Sequence, residues 1–382
     1  MQYYLDNAAT SWPKPQVVYE TLDATFRTMF SPKRGTGKAS QQGSQRLMQA
    51  REILASLFNI KKPEQIAFTS GCTQALNTAI QAFPWQSGDG VIMSAVEHHA
   101  LSRPIRKMAA EKGIAFFLVP YSENNPFDLD VYQQLLEDNP AVKLVATTHA
   151  SNVIGSVLPI AAIAKRAKAA GKLYLLDAAQ SAGVLPVDVQ SLGIDMMAVP
   201  GHKSLYGPPG IGALYVNENV PLSPFIVGGT GNDSGKHAIQ FKMPDAIETG
   251  SIPLPQILAF ADGVKWVSET GLSTIHAHEI KLLKRLIEQL QVINGVTLYG
   301  HTDLSQKTPV LSFKLDGHTV ENAGKILASQ YGIALRTGFH CAPMAHEALG
   351  TIAQGGTIRA SIGYFNTADD IDALVAAIKE MV

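Results

Sequence analysis

Between residues 64 and 216, short apolar runs alternate with longer amphipathic stretches, and this alternation constrains the fold more than any other feature of the sequence. Amphipathic helices are predicted between several of the runs, at Thr73–Phe83, Ser102–Glu111 and Ile160–Ala170. The runs themselves predict strands at Gln65–Thr69, Gly90–Ser94, Ile114–Val119, Lys143–Thr148, Leu173–Asp177, Asp195–Val199 and Gly212–Val216. Apolar strands separated by helices form mostly parallel sheets that are covered on both faces, so the fold class is α/β.

Further elements flank this region. Two helices, over residues 15–30 and 39–58, precede it, and a long helical region over residues 257–291, broken near Gly271, follows it. The other predicted elements are strands at Val310–Leu315 and Thr357–Ser361 and helices at Val320–Gln330 and Ala368–Met381.

The change of pattern after Pro255 indicates two domains. We predict a large domain over residues 14–257 that contains the seven-stranded sheet, and a smaller α+β domain over residues 258–382. The N-terminal arm, residues 1–13, is predicted to pack near the smaller domain. Because no long flexible linker separates the two, we expect them to pack together with a site between them.

Composition excludes several classes of function. Lys plus Arg (31) and Asp plus Glu (32) nearly cancel, so the chain lacks the basic surface of a nucleic-acid-binding protein. No apolar run is long enough for a membrane span, and the N-terminus does not resemble a signal peptide. The two cysteines, Cys72 and Cys341, cannot form a disulfide framework and fit a reducing compartment. We therefore expect a cytoplasmic protein that binds neither nucleic acid nor membrane, and no metal site is predicted.

Small residues join the first predicted strand to the helix that follows it, in Thr69-Ser70-Gly71-Cys72-Thr73. Free N–H groups and the positive end of the helix dipole suit a phosphate at this position. The alternative is an ordinary Thr or Ser N-cap.

An apolar strand ends in a carboxylate at Leu175-Leu176-Asp177, before a turn of small residues. A buried Asp at this position needs a charged or hydrogen-bonding partner. A protonated pyridine nitrogen would be one such partner, and a structural cap on the following turn is the alternative.

Another apolar strand is followed by Gly201-His202-Lys203-Ser204. A desolvated lysine at a strand end would favour the neutral amine and hence a Schiff base. A surface-loop lysine is the alternative. Since ligands bind beyond the carboxyl ends of strands in open α/β sheets, the three segments together predict a site for a phosphorylated carbonyl cofactor.

The chain resembles the class V aminotransferase group of fold-type I pyridoxal 5′-phosphate (PLP) enzymes, in its cysteine desulfurase and selenocysteine lyase branch. The resemblance extends from Leu5 to Ser361. The segments that carry it are Glu97-His98-His99-Ala100, His149-Ala150-Ser151-Asn152-Val153-Ile154-Gly155, Asp177-Ala178-Ala179-Gln180, Gly201-His202-Lys203 and Arg336-Thr337-Gly338-Phe339-His340-Cys341-Ala342-Pro343. The last segment is similar to that of the sulfur-mobilisation desulfurases.

The resemblance implies cofactor roles for individual residues. Lys203 would hold PLP as a Schiff base, Asp177 would pair with its pyridine nitrogen, and His98 would stack on the ring and shuttle protons. The remaining implied contacts are Asn152 and Gln180 near the phenolic oxygen, and Gly71, Cys72, Thr73 and His202 at the phosphate. Within this last group, Cys72 is interpreted mainly as a packing residue.

The resemblance also implies how substrate is held. Cys341 would be the nucleophile that takes sulfur from L-cysteine as a persulfide, and Arg359 would bind the substrate carboxylate. Arg34 would line the entrance, and Asn7 and Ala9 are placed at the substrate site.

A neighbouring subunit completes the phosphate site in this family, from a segment that reads Glu248-Thr249-Gly250-Ser251 in this chain. We therefore expect a homodimer in which Ser251 reaches across, and an acceptor protein or thiol that receives the sulfur. Two positions depart from the family pattern: Pro200 replaces a common Ser, and Phe339 replaces a common His.

Other functions stay open on the sequence. L-Selenocysteine is an alternative substrate, for which Cys341 would matter less. A different class V activity, such as transamination, epimerisation or β-elimination, would leave Cys341 silent or as a packing residue. A non-catalytic PLP-binding scaffold would have no chemical need of the set formed by Lys203, Asp177, Cys341 and Arg359.

Overall fold

The structure is a computed structural model that describes residues 2–28, 32, 37–230 and 242–382. None of the described helices has the length and apolarity that a membrane span requires. In chain order, the helices are α1 (Gln16–Thr28), α2 (Lys38–Phe58), α3 (Cys72–Gln81), α4 (His99–Lys112), α5 (Leu129–Asp138), α6 (Ile160–Ala169), α7 (Val189–Leu192), α8 (Leu254–Thr270), α9 (Leu272–Leu290), α10 (Val320–Tyr331), α11 (Pro343–Ala348) and α12 (Ala368–Met381). The strands are β1 (Tyr3–Tyr4), β2 (Ile66–Thr69), β3 (Gly90–Ser94), β4 (Ala115–Val119), β5 (Val142–Thr148), β6 (Leu173–Asp177), β7 (Met196–Pro200), β8 (Gly212–Val216), β9 (Val296–Tyr299), β10 (Val310–Leu315), β11 (Ile333–Ala334), β12 (Arg336–Gly338) and β13 (Thr357–Ser361).

A seven-stranded sheet in the order β2-β8-β7-β6-β5-β3-β4 forms the centre of the molecule. Strand β8 is antiparallel to β2 and β7, and the other neighbours are parallel. These strands are the seven that the apolar runs predict, so the predicted α/β class is confirmed. Because β2, β3, β5, β6 and β7 point the same way, their carboxyl ends share one edge of the sheet.

Apolar side chains cover both faces of this sheet. Helices α3 and α4 pack on one face through residues such as Leu76 and Leu101. Helices α2, α6 and α8 pack on the other through Leu54, Ile163 and Leu258. With both faces covered, the strand ends are where the sheet can present polar groups to a ligand.

A second core forms around the antiparallel sheet β12-β13-β10-β9, with α9, α10 and α12. Strands β10 and β13 have the predicted bounds, and the long helical region divides at Gly271 as predicted. The sequence does not predict β9 or β12. Strand β9 is only partly buried, so its residues do not form the apolar run of a buried strand. Strand β12 has only three residues, which is too short for such a run.

The N-terminal arm joins this second core. Strand β1 pairs in parallel with β11, and Leu5 is fully buried among the apolar side chains of the second core. The predicted domain boundary at residues 257 and 258 falls inside α8, whose first half packs on the central sheet. The division into two domains stays a prediction.

Candidate active site

A cavity of about 320 Å³ lies at the carboxyl ends of the central strands. The structure brings most of the predicted site residues together in its walls. They are Ala9, Gly71, Cys72, Thr73, His98, Asn152, Asp177, Gln180, His202, Lys203 and Arg359.

Lys203 follows β7 in a turn that is held by the N-terminal arm. Ser11 Oγ donates a hydrogen bond to the Lys203 carbonyl at 2.7 Å, and Lys14 Nζ donates to the His202 carbonyl at 2.8 Å. Burial lowers the pKa of the Lys203 amine, although the nearby Asp177 carboxylate opposes this. A lowered pKa increases the neutral fraction of the amine, which is the form that attacks a carbonyl group.

Asp177 is the last residue of β6, and its side chain is buried. Its Oδ1 accepts a hydrogen bond from Ala179 N at 2.9 Å and lies 3.5 Å from Cys72 Sγ. Burial raises the pKa of this carboxyl. Burial and the adjacent Asp177 also raise the pKa of the Cys72 thiol well above its usual value, so Cys72 stays a neutral packing group.

The turn from β2 to α3 is built to approach a ligand closely. The N-cap of α3 is Gly71, which provides no side-chain cap, so the Thr or Ser cap considered from the sequence is not formed. Gly71 has φ of 150°, and a Cβ there would meet nothing within 4 Å. Cys72 and Thr73 of the first helical turn line the cavity together with Gly71 and His202, and the free N–H groups of a helix N-terminus suit an anion.

His98 is the N-cap of α4. Its Nδ1 accepts a hydrogen bond from Ala100 N at 3.0 Å, so the neutral ring carries its hydrogen on Nε2. Burial lowers the His98 pKa to about 3, and the neighbouring cations Lys203, Arg336 and Arg359 act in the same direction. His98 therefore contributes a neutral imidazole to the cavity.

Cys341 lies in the turn between β12 and α11 and is half-buried. Arg336 Nη2 donates a hydrogen bond to its Sγ at 3.3 Å. Arg336 also lines the cavity, although Cys341 itself does not. One guanidinium thus connects the thiol to the cavity that holds Lys203.

Arg359 is fully buried in β13 and already has two partners. Its Nη2 donates to Asp6 Oδ1 at 2.6 Å and its Nη1 donates to the Asn152 carbonyl at 2.9 Å. Its Nε is buried without a partner among the described residues. Burial lowers the pKa of Arg359, with Asp6 opposing the shift.

Besides Cys341, two predicted residues among those that the structure describes do not line the cavity. Asn7 uses its amide within the protein, donating to the Ser361 carbonyl and Asn366 Oδ1 and accepting from Trp12 N. Ser251 is exposed on the surface. Arg34 lies outside the described residues.

The structure adds residues that the sequence reasoning did not assign to the site. Arg336 stands in the quoted Arg-Thr-Gly-Phe-His-Cys motif, which could have indicated it. Ser11 and Lys14 reach the lysine turn from about 190 positions earlier in the chain, and no local pattern indicates this.

Comparison with known proteins places the chain in a family. Residues 3–374 match the family described as Aminotransferase class-V. A probable cysteine desulfurase of Halobacterium salinarum is 34% identical over 386 residues, which cover 99% of this chain and 91% of the relative. A cysteine desulfurase of Yersinia pestis is 33% identical, with coverage of 99% and 93%.

Solved structures agree with this placement. The apo cysteine desulfurase of Thermococcus onnurineus superposes with a TM-score of 0.92 at 29% identity, covering 100% of this chain and 94% of that one. The cysteine desulfurase CsdA of Escherichia coli, in an S-sulfonic acid form, has a TM-score of 0.86 at 30% identity, with coverage of 99% and 94%. The predicted resemblance is confirmed: this chain belongs to the aminotransferase class-V family.

Proposed function

We propose that this chain is a PLP-dependent cysteine desulfurase that converts L-cysteine to L-alanine and transfers the sulfur to Cys341. The observation that carries the proposal is the position of Arg336, which contacts Cys341 Sγ and lines the cavity that contains Lys203 and Asp177. If Cys341 were only a packing residue, its thiol would not need a guanidinium as a partner. The cysteine desulfurases among its relatives support the same activity.

The cavity residues fit PLP. The Asp177 carboxylate contacts Ala179 and Cys72, and both contacts involve Oδ1. A cationic ring nitrogen bound to Oδ2 would offset the free-energy cost of burying the carboxylate charge. Lys203 supplies the amine that holds the cofactor, and the N-terminus of α3 supplies N–H groups for the phosphate. When bound, PLP provides the electron sink for reactions at the substrate Cα.

Lys203 and His98 would move protons in the reaction. The Lys203 amine, with its lowered pKa, can take the Cα proton of the substrate at Nζ and return a proton later. His98 presents Nε2–H to the same cavity, because its Nδ1 is engaged by Ala100 N. The two groups thus provide a neutral base and a neutral donor.

Arg359 would bind the substrate carboxylate. Its guanidinium is held in place by Asp6 and by the Asn152 carbonyl, while Nε remains without a partner among the described residues. A carboxylate at this position gains a charge-assisted hydrogen bond and satisfies the buried Nε.

The sulfur-transfer step occurs at Cys341. Its thiolate attacks the substrate sulfur, and an S–S bond forms as the Cβ–S bond breaks. The electron pair of the broken bond stays with the substrate carbon, which is protonated to give alanine. The enzyme retains a Cys341 persulfide; an acceptor thiolate then attacks its outer sulfur, so that a new S–S bond forms on the acceptor as the S–S bond to Cys341 breaks and the Cys341 thiolate is released.

We also propose a homodimer in which Ser251 completes the partner's phosphate site. Residues 250 and 251 are exposed, whereas Glu248 before them is buried. The exposed apolar residues Phe225, Ile226 and Val227 lie in a loop joined to this segment, because Gly250 N donates to the Gly229 carbonyl at 2.7 Å. Both cysteines are free thiols, which supports the proposed cytoplasmic location.

Product analysis tests the proposed activity. The purified protein with added PLP is incubated with L-cysteine and a thiol reductant, and alanine and sulfide are measured together for the wild type and Cys341→Ala. We expect equal amounts of the two products and their loss in the variant. Pyruvate in place of alanine, or a fully active variant, would overturn the desulfurase assignment. Activity of the variant on L-selenocysteine alone would indicate a selenocysteine lyase.

A further inference from the structure

The backbone around Cys341 adopts a conformation that side chains with a Cβ rarely adopt. His340 and Cys341 are consecutive residues with φ of 48° and 59°. Both of their carbonyls are held: Asn152 Nδ2 donates to the His340 carbonyl at 2.7 Å, and His99 N donates to the Cys341 carbonyl at 2.7 Å. Such a conformation persists only where its surroundings enforce it.

The His340 side chain is part of a directed chain of hydrogen bonds in the second core. Ser312 Oγ must donate to the Val153 carbonyl, at 2.6 Å, because a carbonyl only accepts. Thr357 Oγ1 then donates to Ser312 Oγ at 2.9 Å, so its remaining capacity is to accept. His340 Nε2 lies 3.0 Å from Thr357 Oγ1 and is therefore the donor. The chain fixes His340 as the Nε2–H tautomer.

A second buried histidine supports the same turn. The His346 ring centroid lies 5.5 Å from those of both His340 and Phe339. His346 Nδ1 lies 2.7 Å from Thr351 Oγ1, which is much shorter than the 3.4 Å from that hydroxyl to the His346 carbonyl. Thr351 thus contacts both the ring and the backbone carbonyl of His346.

Each of the two rings has one further buried nitrogen. His340 Nδ1 is an acceptor, and neither it nor His346 Nε2 has a hydrogen-bond partner among the described residues. Burial keeps both rings neutral: it lowers the pKa of His340 well below its usual value and that of His346 to about 4. An apolar side chain at position 340 would avoid the unpaired nitrogen, so packing alone does not account for a histidine there.

We propose that His340 is a positioning residue for Cys341: its Nε2–H, held on Thr357, keeps residues 340 and 341 left-handed and so places Cys341 Sγ on Arg336. Without this bond, the two residues relax toward the right-handed region and the thiol leaves the guanidinium. The inference rests on the proposed function only where it concerns the effect of a displaced thiol on sulfur transfer. The position of the thiol itself can be measured without turnover.

The rate at which iodoacetamide alkylates Cys341 tests the proposal. It is followed by peptide mass spectrometry on the PLP-loaded protein, so that Cys72 is counted separately. We expect His340→Leu to lose the hydrogen bond from Arg336 Nη2 to Cys341 Sγ, and alkylation at neutral pH to slow about tenfold. The thermal unfolding midpoint should change little, because the substitution also removes the unpaired Nδ1.

Three further variants separate positioning from folding. His340→Gln restores a donor at a similar reach and should restore the alkylation rate. Thr357→Val removes the acceptor and should slow alkylation as His340→Leu does, whereas Thr357→Ser keeps the hydroxyl and should not. A wild-type rate in both His340→Leu and Thr357→Val would overturn the proposal, and so would a slow rate in His340→Gln. If these rates change as expected in a protein that makes no alanine, the proposed function fails and the positioning role stands.

Discussion

Arg51 and Glu248 form a bidentate ion pair inside the protein, with Nη1–Oε1 and Nη2–Oε2 distances of 2.6 and 2.5 Å. Both side chains are almost completely buried. The carboxylate also accepts a hydrogen bond from Phe68 N at 2.7 Å, and the guanidinium lies over the Phe68 ring. The pair therefore links the segment before Ser251 to helix α2 and strand β2. Strand β2 leads into the turn at Gly71, which is part of the proposed cofactor site.

Breaking this pair on one side should destabilise the protein strongly. We expect Arg51→Met or Glu248→Gln to lower the free energy of unfolding by about 3–5 kcal/mol, because each leaves a buried group without its partner. Urea denaturation measures the loss. The Arg51→Met/Glu248→Leu double variant should lose less than the sum of the single variants.

An exposed bidentate ion pair provides the control. Arg285 and Asp372 are also bidentate, at 2.8 and 2.7 Å, but lie in solvent. Arg285→Met should have a much smaller effect, since water replaces the lost partner. Equal effects at Arg51 and Arg285 would show that burial does not determine the strength of the Arg51–Glu248 pair.

The central sheet could be predicted because its strands are short, largely apolar runs; six of the seven are almost entirely buried, and the edge strand β4 is partly exposed. Helix α4 shows where local patterns fail. The sequence pattern predicts a start at Ser102, but the helix begins at His99 because the His98 side chain accepts from Ala100 N. Histidine is not a usual N-cap residue, so the sequence gives no signal for this start.

The same distinction applies to the candidate site, where the sequence predicts some residues and does not indicate others. Asp177 and Lys203 could be predicted because parallel strands bring their carboxyl ends to one edge. The sequence could not indicate that Lys14 would hold the turn beside Lys203, since that contact depends on how the N-terminal arm packs. The Arg336–Cys341 contact likewise depends on the left-handed backbone of the Cys341 turn.

Lys14 should make the stability of the protein depend on pH near neutrality. Its Nζ donates to Ser11 Oγ and to the His202 carbonyl, and burial lowers its pKa to about 7. Between about pH 7 and 10.4 the unfolded chain therefore holds a proton that the folded chain lacks, so the contribution of this group to stability rises with pH.

Thermal unfolding of wild type and Lys14→Met at pH 6.5 and pH 9 measures this effect. At each pH we subtract the unfolding midpoint of the variant from that of the wild type. We expect this difference to be larger at pH 9 than at pH 6.5. A difference between the two proteins that does not change with pH would show that Lys14 is not desolvated in the folded state.

Gly183 should be required for the position of Lys203. It has φ of 92°, and a Cβ at this position would overlap the carbonyl carbon and oxygen of Ser204, the residue after Lys203. We expect Gly183→Ala to displace the lysine turn, to weaken PLP binding and to lower the free energy of unfolding by about 1–3 kcal/mol. Absorbance titration with PLP and urea denaturation measure the two effects.

Gly193→Ala separates the overlap from the backbone conformation. Gly193 has φ of 66°, but a Cβ there would approach only the Lys168 side chain, at 3.8 Å. Gly193→Ala should lower the free energy of unfolding, because an alanine is strained at this φ, but it should not weaken PLP binding. Equal PLP affinity in the two variants would refute the role of the Gly183–Ser204 contact.

His346 should contribute to the loss of stability in acid. Burial lowers its pKa to about 4, whereas an unfolded histidine titrates near 6.5. The stability that depends on the neutral ring is complete above about pH 6.5 and falls as the pH decreases toward 4, by about 1.4 kcal/mol per pH unit in the steepest part. Other buried groups act on the same curve: His149 has a pKa of about 4, whereas burial raises the pKa of Glu97 to about 8 and favours folding in acid.

The difference between wild type and His346→Gln isolates the contribution of His346, because His149 and Glu97 are common to both proteins. Urea denaturation at pH 7, 6 and 5 should show the free energy of unfolding of the wild type falling more steeply than that of the variant below pH 6.5. The difference in slope should correspond to about one proton taken up on unfolding. Parallel curves would mean that His346 is protonated in the folded protein, and the ring would then be charged beside His340 under the Cys341 turn.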